Sequence, residues 1–351
     1  MKKKIFLIIL VISLVSAVLI MSSGCNLFKK DVDPNLLKAE QSELKKTEGE
    51  LSAEDMQSMN KLLADDKEIK SISNLANAVN LENLSLNNNQ LTDISALAKL
   101  TKLKVLNLNN NQVVDISPIS NLTNLENLGL NNNQIADVKA LSNLIKIKVA
   151  SLSNNSITDI SPISNIADIT VISLGNNKIT DIASLSKLTK LQVLGINNNE
   201  ISNIGPLSTI TSLQQLSLNY NKVTDISPLA GLTDLNLIVL GNNPLSDISA
   251  MGAMTNLEVI SLSECQITDI TPLAKLTKLK QLSLAKNQIK DISALAEIKT
   301  LEMLWLEGNQ ITDISALKEL PNLKKLVIRG NPITDTKLID ELKTTGVEVE
   351  F

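Results

Sequence analysis

The sequence contains no histidine, and aromatic residues make up only 1% of its 351 positions. Without histidine, the chain lacks the most versatile general base and the commonest metal ligand of proteins. Its two cysteines are too few for a disulfide framework or a Cys-rich zinc site. A net charge of −4 without a basic stripe disfavours nucleic-acid binding, which needs several Lys or Arg side chains on one face. These absences disfavour an enzyme, predict no cofactor and no metal, and favour a scaffold.

Residues 1–24 have the layout of a secretory signal peptide. Lysines at positions 2–4 precede an uncharged, mostly apolar run from Ile5 to Met21, and small residues lead up to Cys25. This ending resembles the lipobox of bacterial lipoproteins, although Ser22 stands where that family usually has Leu. The resemblance implies that Cys25 is acylated, becomes the mature N-terminus and holds the body at a membrane, outside the cytoplasm. An uncleaved signal anchor and simple secretion are the alternatives.

Residues 25–50 are polar and mixed in charge. Asp33 and Pro34 could start a short helix, since Pro is favoured at the first helical position. Few apolar residues are present to cover anything. We therefore expect a solvated tether between the lipid and the body of the protein.

One register runs through the rest of the chain. Asn89 recurs every 22 residues as far as Asn331, and Cys265 takes one of the twelve places. The surrounding consensus, L-x-x-L-x-L-x-x-N-x-I-x-D-I-x-x-L-x-x-L-x-x, is the leucine-rich-repeat pattern. Its alternating Leu pair predicts one short strand per coil, and apolar residues every three positions predict 3₁₀-like return arms. Residues 81–335 are thus predicted to form an α/β solenoid with a parallel β-sheet.

Degenerate segments flank the repeats. Residues 51–80 keep the apolar register but have Lys67 at the Asn position, and a capping-box pattern at Ser52 predicts a helical N-terminal cap. Residues 336–351 predict a short helix followed by a last strand. We expect both segments to cover the edges of the sheet.

The 22-residue period, the N-x-I-x-D-I core and the helical cap resemble the internalin family of bacterial surface proteins over residues 51–351. The resemblance implies a right-handed leucine-rich-repeat superhelix whose concave sheet binds a protein partner. The chain departs from that family because no immunoglobulin-like domain or sorting motif follows the repeats. The sequence therefore predicts a lipoprotein-anchored variant of the family.

Two ladders of polar residues accompany the repeats. We expect the Asn side chains to bond backbone groups where each strand turns away, and Cys265 to be an inert buried thiol. An acidic residue follows each ladder position by four, except at Asn203. A cap on each return arm is the favoured interpretation, because Asn203 is a neutral replacement, and a shared Ca2+ is the alternative.

Specificity should reside in strand residues that face solvent. Those of the early repeats are mostly small or polar, whereas the later repeats carry larger side chains, and the fixed register aligns Glu264 with Lys286 and Glu307 with Arg329. The predicted partner-binding residues are Tyr220, Leu237, Val239, Val259, Glu264, Lys286, Met303, Trp305, Glu307, Lys325, Val327 and Arg329. Alternatively, Trp merely favours strands and the charged pairs are solvated.

The favoured function is that of a monomeric, membrane-anchored protein that binds a protein ligand on its concave face. A structural envelope spacer without a specific ligand and a glycan-binding module are the alternatives. Catalysis is disfavoured because Cys265 has no histidine to activate it.

Overall fold

The structure, a computed structural model, describes residues 32–351. Helices α1 (Pro34–Glu43) and α2 (Ala53–Ser58) precede the strands, and helix α3 (Lys337–Thr344) precedes the last strand. The strands are β1 Lys61–Leu63, β2 Asn83–Ser85, β3 Val105–Asn107, β4 Asn127–Gly129, β5 Val149–Ser151, β6 Val171–Ser173, β7 Val193–Gly195, β8 Gln215–Ser217, β9 Leu237–Val239, β10 Val259–Ser261, β11 Gln281–Ser283, β12 Met303–Trp305, β13 Lys325–Val327 and β14 Glu348–Glu350. The 3₁₀ turns between them are Ser73–Asn77, Ser95–Lys99, Ser117–Ile119, Lys139–Asn143, Ser161–Asn165, Ala183–Lys187, Gly205–Thr209, Ser227–Leu229, Ser249–Ala253, Thr271–Lys275, Ser293–Glu297 and Ser315–Glu319.

The predicted signal peptide and Cys25 lie outside the described residues. Between residues 32 and 351, no helix combines the length and the apolar character that a bilayer crossing requires.

The strands form one parallel sheet in chain order, and each pairs with the next. Equivalent residues of successive coils lie side by side, as Asn83 does with Val105. The middle residue of each strand points into the core, so that Leu84 and Leu304 are almost completely buried. This arrangement confirms the predicted leucine-rich-repeat solenoid with a concave parallel sheet and 3₁₀ return arms.

The core is a stack of Leu and Ile side chains. In the coil that begins at β2, Leu91, Ile94, Leu97 and Leu100 are all buried. Each such side chain contributes about 2 kcal/mol through the hydrophobic effect, but a coil shields these side chains only when it is stacked against its neighbours. A core of nearly uniform aliphatic side chains allows successive coils to superimpose, which explains why aromatics are so scarce.

The Asn ladder joins each coil to the one before it. Asn133 Nδ2 donates to the carbonyl oxygens of Leu108 (3.0 Å) and Leu130 (3.1 Å), and its Oδ1 accepts the N–H of Val113 (3.0 Å). Buried backbone groups that the short strands leave unpaired are thereby satisfied. The ladder is structural, as the sequence predicted.

The acidic ladder starts the return arms. Asp247 Oδ1 accepts the backbone N–H of Ser249 at 2.8 Å, and Asn203 Oδ1 makes the same bond to Gly205 at 2.9 Å. A neutral amide thus performs the same task as the carboxylate. Within residues 32–351, no group of three or more acidic or cysteine side chains is arranged to hold a metal ion. These contacts support the capping interpretation.

The predicted solvated tether is wrong for Asp33 and helix α1, whereas residues 45–50 are exposed as expected. Asp33 caps α1 through the N–H groups of Asn35 and Leu36, and its second oxygen accepts the N–H of Lys70 at 2.7 Å. Leu36 and Glu40 on α1 are completely buried. The helix docks because the degenerate first coil presents an apolar edge, which Leu36 covers while Ala39 and Leu44 pack beside it.

The second helix of the N-terminal cap and the C-terminal helix and strand form as the sequence predicts. Ser52 and Asp55 form the capping box of α2, with bonds of 3.2 and 2.9 Å. At the other end α3 packs next to β14, which pairs with β13.

A charged column runs along the exposed residues that directly precede the strands. It contains Glu82, Lys104, Glu126 and Lys148 at one end and Glu258, Lys280, Glu302 and Lys324 at the other, separated by Thr170, Gln192, Gln214 and Asn236. The signs alternate, and the ion pairs Lys104–Glu82, Lys148–Glu126, Lys280–Glu258 and Lys324–Glu302 are 2.6–2.8 Å long. Each exposed pair contributes little to stability, but the column favours one coil register.

Candidate functional site

The concave face of the N-terminal half uses its polar groups internally. Just beyond the strands, Asn87 Oδ1 accepts the N–H of Asn109 (2.9 Å), and Asn109 Oδ1 accepts that of Asn131 (2.8 Å). Gly129 leaves space for these amides, because a Cβ there would lie 2.6 Å from Asn109 Nδ2 and would displace that side chain. These amides therefore satisfy one another, and few of them are available to a partner.

The C-terminal half carries larger side chains at the outward strand positions. Leu237 and Val239 on β9, Val259 on β10, and Met303 and Trp305 on β12 all face outward and are half-buried. Trp305 lies between Ser283 of β11 and Val327 of β13. The structure thus places these five predicted residues on the concave face, and their role in binding stays a prediction.

Val327 is not available as a contact residue. It occupies an outward position of β13, but only 3% of it is exposed. Trp305 on one side and Glu350 of β14 on the other flank it. The expectation that Val327 meets a partner is therefore wrong, because the terminal strand and the neighbouring indole cover it.

The terminal strand also changes the predicted charge pairs. Lys325 Nζ lies 2.8 Å from Glu348 and 3.1 Å from Glu350, and Arg329 Nη1 lies 3.8 Å from Glu350. Arg329 thus pairs with Glu350 and not with Glu307, contrary to the simple register argument. Glu307 Oε2 is buried and has no hydrogen-bond partner among the described residues. The sequence placed Glu348 and Glu350 on one face of the last strand, but sequence reasoning missed that they pair with Lys325 and Arg329.

Tyr220, Glu264 and Lys286 lie in the turns just after the strands, not on the strands themselves. Their φ angles are +57°, +56° and +54°. From residue 88 onward, the equivalent corners are otherwise Asn88, Asn110, Asn132, Asn154, Asn176, Asn198, Asn242, Gly308 and Gly330. Asn and Gly adopt this left-handed conformation at the lowest cost, whereas it is strained for bulky side chains. The missed signal was the Asn that directly precedes most ladder positions.

The predicted alignment of Glu264 with Lys286 is confirmed as an ion pair of 2.8 Å. The hydrogen bond to Glu264 and the charge of that carboxylate raise the pKa of Lys286, with smaller contributions from Glu307 and Tyr220. One lysine thus lies near two carboxylates at this edge of the solenoid, where negative charge is in excess.

An open cavity of about 510 Å³ lies beside these corners, and we call it the corner pocket. Its lining residues are Tyr220, Asn221, Asn242, Asn243, Pro244, Glu264, Cys265 and Gln266. It coincides with the one interruption of the Asn ladder. Cys265 Sγ donates weakly to Leu240 O at 3.7 Å but offers no amide oxygen, and the N–H of Leu245 bonds to Asn243 O instead.

The thiol of Cys265 is buried and free. Burial raises its pKa, and backbone hydrogen bonds offset only part of that increase, so the thiol stays protonated at neutral pH. This agrees with the predicted inert core cysteine.

Comparison with known proteins identifies the family to which this fold belongs. The family described as "Leucine Rich repeats (2 copies)" matches residues 79–121, 101–143, 145–187, 168–209, 211–251, 255–297 and 299–343. A search of curated proteins gives no match.

Three solved structures show the range of similarity. An internalin (inlF) from Listeria monocytogenes is 35% identical, with 91% of this chain and 94% of that chain covered and a TM-score of 0.88. An internalin C2 (inlC2) from the same species is 31% identical, with 66% of this chain and 93% of that chain covered and a TM-score of 0.52. A leucine-rich-repeat protein of Leptospira interrogans shares the fold at 23% identity, with 86% of each chain covered and a TM-score of 0.74.

Proposed function

Because this chain belongs to the leucine-rich-repeat family and is internalin-like within it, we propose that it binds a protein partner on the concave face of its C-terminal half. The observation that carries the proposal is the change in outward strand residues. From β2 to β8 the third strand position holds Ser, Gly or Asn, whereas Val239 and Trp305 occupy it in later strands, with Ser261 and Ser283 between them. Large apolar side chains at solvent-facing positions of a repeat protein contribute nothing to its core, and they suit an interface.

A protein partner fits this surface better than a glycan or no partner. Sugar sites are usually lined by several aromatic rings, and Tyr220, Trp305 and Phe351 are the only aromatic residues after residue 50. A spacer would not need half-buried apolar residues bordered by ion pairs such as Lys286–Glu264. An apolar centre with a charged rim is the usual composition of a protein interface.

We further propose that acylated Cys25 anchors the N-terminal end of the solenoid at a membrane, outside the cytoplasm. Asp33 is fixed to the first coil through Lys70, so only the residues between positions 25 and 33 can span the gap. Their contour length is at most about 28 Å. Strand β12 lies roughly 50 Å from β1 along the sheet, so the anchor would present the binding half away from the lipid.

Photo-cross-linking tests the binding surface. Benzoylphenylalanine in place of Val239 should cross-link a partner on intact cells, whereas the same probe at Ser173, the equivalent position of β6, should not. Adding Trp305→Ser to the Val239 probe should reduce the product at least tenfold, because a central aromatic contact typically contributes 2 kcal/mol or more. Ser is the residue that β11 has at this position, so the fold tolerates it.

Equal cross-linking from both probe positions, or a product that Trp305→Ser leaves unchanged, would contradict the proposed surface. Val149→Asn serves as the matched control, since it changes an outward residue of the N-terminal half to the residue found at the same position in β4. It should leave the yield unchanged.

A further inference from the structure

Three corners with strained backbone lie at or next to the corner pocket. Tyr220, Glu264 and Lys286 adopt positive φ where the other coils from residue 88 onward have Asn or Gly. A bulky residue in this conformation costs on the order of 1 kcal/mol. Tyr220 and Glu264 both line the pocket, and Lys286 is ion-paired to Glu264. Strained residues clustered at one cavity indicate that these side chains serve a contact and not the stability of the solenoid.

The residues that line the corner pocket indicate which kind of ligand it can bind. Glu264 is the only acidic side chain in the lining, and the amides of Asn242 and Gln266 add acceptor oxygens. The Glu264 side chain is 42% exposed, and its Oε1 accepts from Lys286. Within the described part of the chain, Oε2 makes no hydrogen bond. A free carboxylate oxygen beside an aromatic ring attracts a cation and repels an anion.

Resting on the proposed function, we propose that the corner pocket receives an arginine side chain of the protein partner. The guanidinium stacks on the ring of Tyr220, which is half exposed, and donates to Glu264. Arginine fits better than lysine because its planar group can stack on a ring and donate two parallel hydrogen bonds to a carboxylate at the same time. The Lys286–Glu264 pair is exposed and weak, so it can rearrange when the ligand enters.

The chain itself provides the reporter for a test. Tyr220 is its only tyrosine and Trp305 its only tryptophan. With tyrosine carrying carbon-13 in the ring, an NMR titration with the peptide acetyl-Gly-Arg-Gly-amide should shift the Tyr220 signals in a saturable way. The corresponding Lys peptide should bind more weakly, and the Gln and Glu peptides should give no saturable shift. The indole N–H of Trp305 should not respond.

Two variants and a matched control sharpen the test. Glu264→Gln should weaken binding of the Arg peptide about tenfold, because a charge-assisted hydrogen bond is lost. Glu258→Gln is the matched control, since Glu258 also forms an exposed pair with the lysine of the next coil, at 2.7 Å, and should bind the peptide normally. Tyr220→Asn should abolish binding, followed through backbone amides, while raising the melting temperature by about 1–2 °C.

Arg and Gln peptides that shift Tyr220 equally would overturn the assignment, as would an unchanged affinity in Glu264→Gln. A lower melting temperature in Tyr220→Asn would also overturn it, because Tyr220 would then be a structural residue. If the peptide fails while the Val239 probe still cross-links a partner, the proposed binding surface stands and only the arginine assignment falls.

Discussion

Raising the pH should release helix α1 from the solenoid. Glu40 on this helix is completely buried, and both of its carboxyl oxygens lie 2.7 Å from Asn74 Nδ2. Burial raises its pKa to about 7, although the hydrogen bond from Asn74 opposes the increase. Asn74 Oδ1 is buried and has no partner among the described residues. Protonation of Glu40 would add a hydrogen-bond donor to this buried group of acceptors.

The size of the effect follows from the pKa. An increase from 4.5 to about 7 corresponds to about 3 kcal/mol of docking free energy. Because the docked-state pKa lies above the undocked value, this stabilisation is complete below about pH 4.5 and disappears as the pH rises through about 7. Above that pH, the helix either stays docked with a buried, charged carboxylate or is released.

Asp33 gives the docking of α1 the opposite pH dependence. Burial raises its pKa, but the N–H bonds from Lys70, Leu36, Asn35 and Ser71 more than compensate and lower it overall. Its contribution is therefore present at and above about pH 4 and is lost on further acidification. Docking of α1 should accordingly be strongest at roughly pH 4–5.

Hydrogen exchange measures this release directly. The amides of α1 should lose about 30-fold of their protection between pH 5.5 and 8.5, after correction for intrinsic exchange rates, since only the interval from pH 5.5 to about 7 contributes. Helix α3 is the internal standard, because its buried residues Leu338, Ile339 and Leu342 are apolar. Glu40→Gln, which mimics the protonated acid, should keep α1 protected at both pH values. Constant protection of α1 in the unmodified chain, or an equally steep loss in the variant, would refute the reasoning.

Three further predictions concern the ladders and the anchor. Asn133→Ala should lower the free energy of unfolding by about 2–4 kcal/mol in urea denaturation, because buried backbone groups lose their partners; the exposed Asn127→Ala should change it little. Asp269→Ala should lower the free energy of unfolding by about 1 kcal/mol, whereas Asp269→Asn should lower it little because Asn203 makes the same cap. A melting temperature that rises with CaCl2 only in the unsubstituted protein would instead indicate a cation site. Cys25→Ala should move the protein from the membrane to the soluble fraction, and an unmodified Met1 in the mass spectrum of the unsubstituted protein would contradict lipidation.

The repeat period predicted the fold almost completely. Residues such as Leu84 and Asn89 recur without insertion, so one coil determines where the strands, the return arms and the core of all the others lie. Docking of α1 could not be predicted in this way. It depends on a few residues in a polar segment, chiefly Leu36 and Glu40 with Ala39 and Leu44 packed beside the core, and on the shape of a degenerate coil.

The site was only partly predictable for related reasons. The register placed Trp305 and Met303 on the outward face, but it does not show backbone conformation, so the corners at Tyr220 and Lys286 were assigned to strands. The 22-residue register also ends before β14, because the pairing of this strand with β13 is shifted by one residue. Strand β14 covers Val327 and supplies the acidic partner of Arg329.

The charged column constrains how the number of coils can change. Removing the 22 residues from 104 to 125 would bring Glu126 next to Glu82, whereas removing the 44 residues from 104 to 147 would bring Lys148 there and keep the signs opposed. Like charges on neighbouring strands repel, so shortening or lengthening this solenoid at its charged ends by an even number of coils costs less than by an odd number. At both ends we therefore expect the solenoid to tolerate a change of two coils better than a change of one.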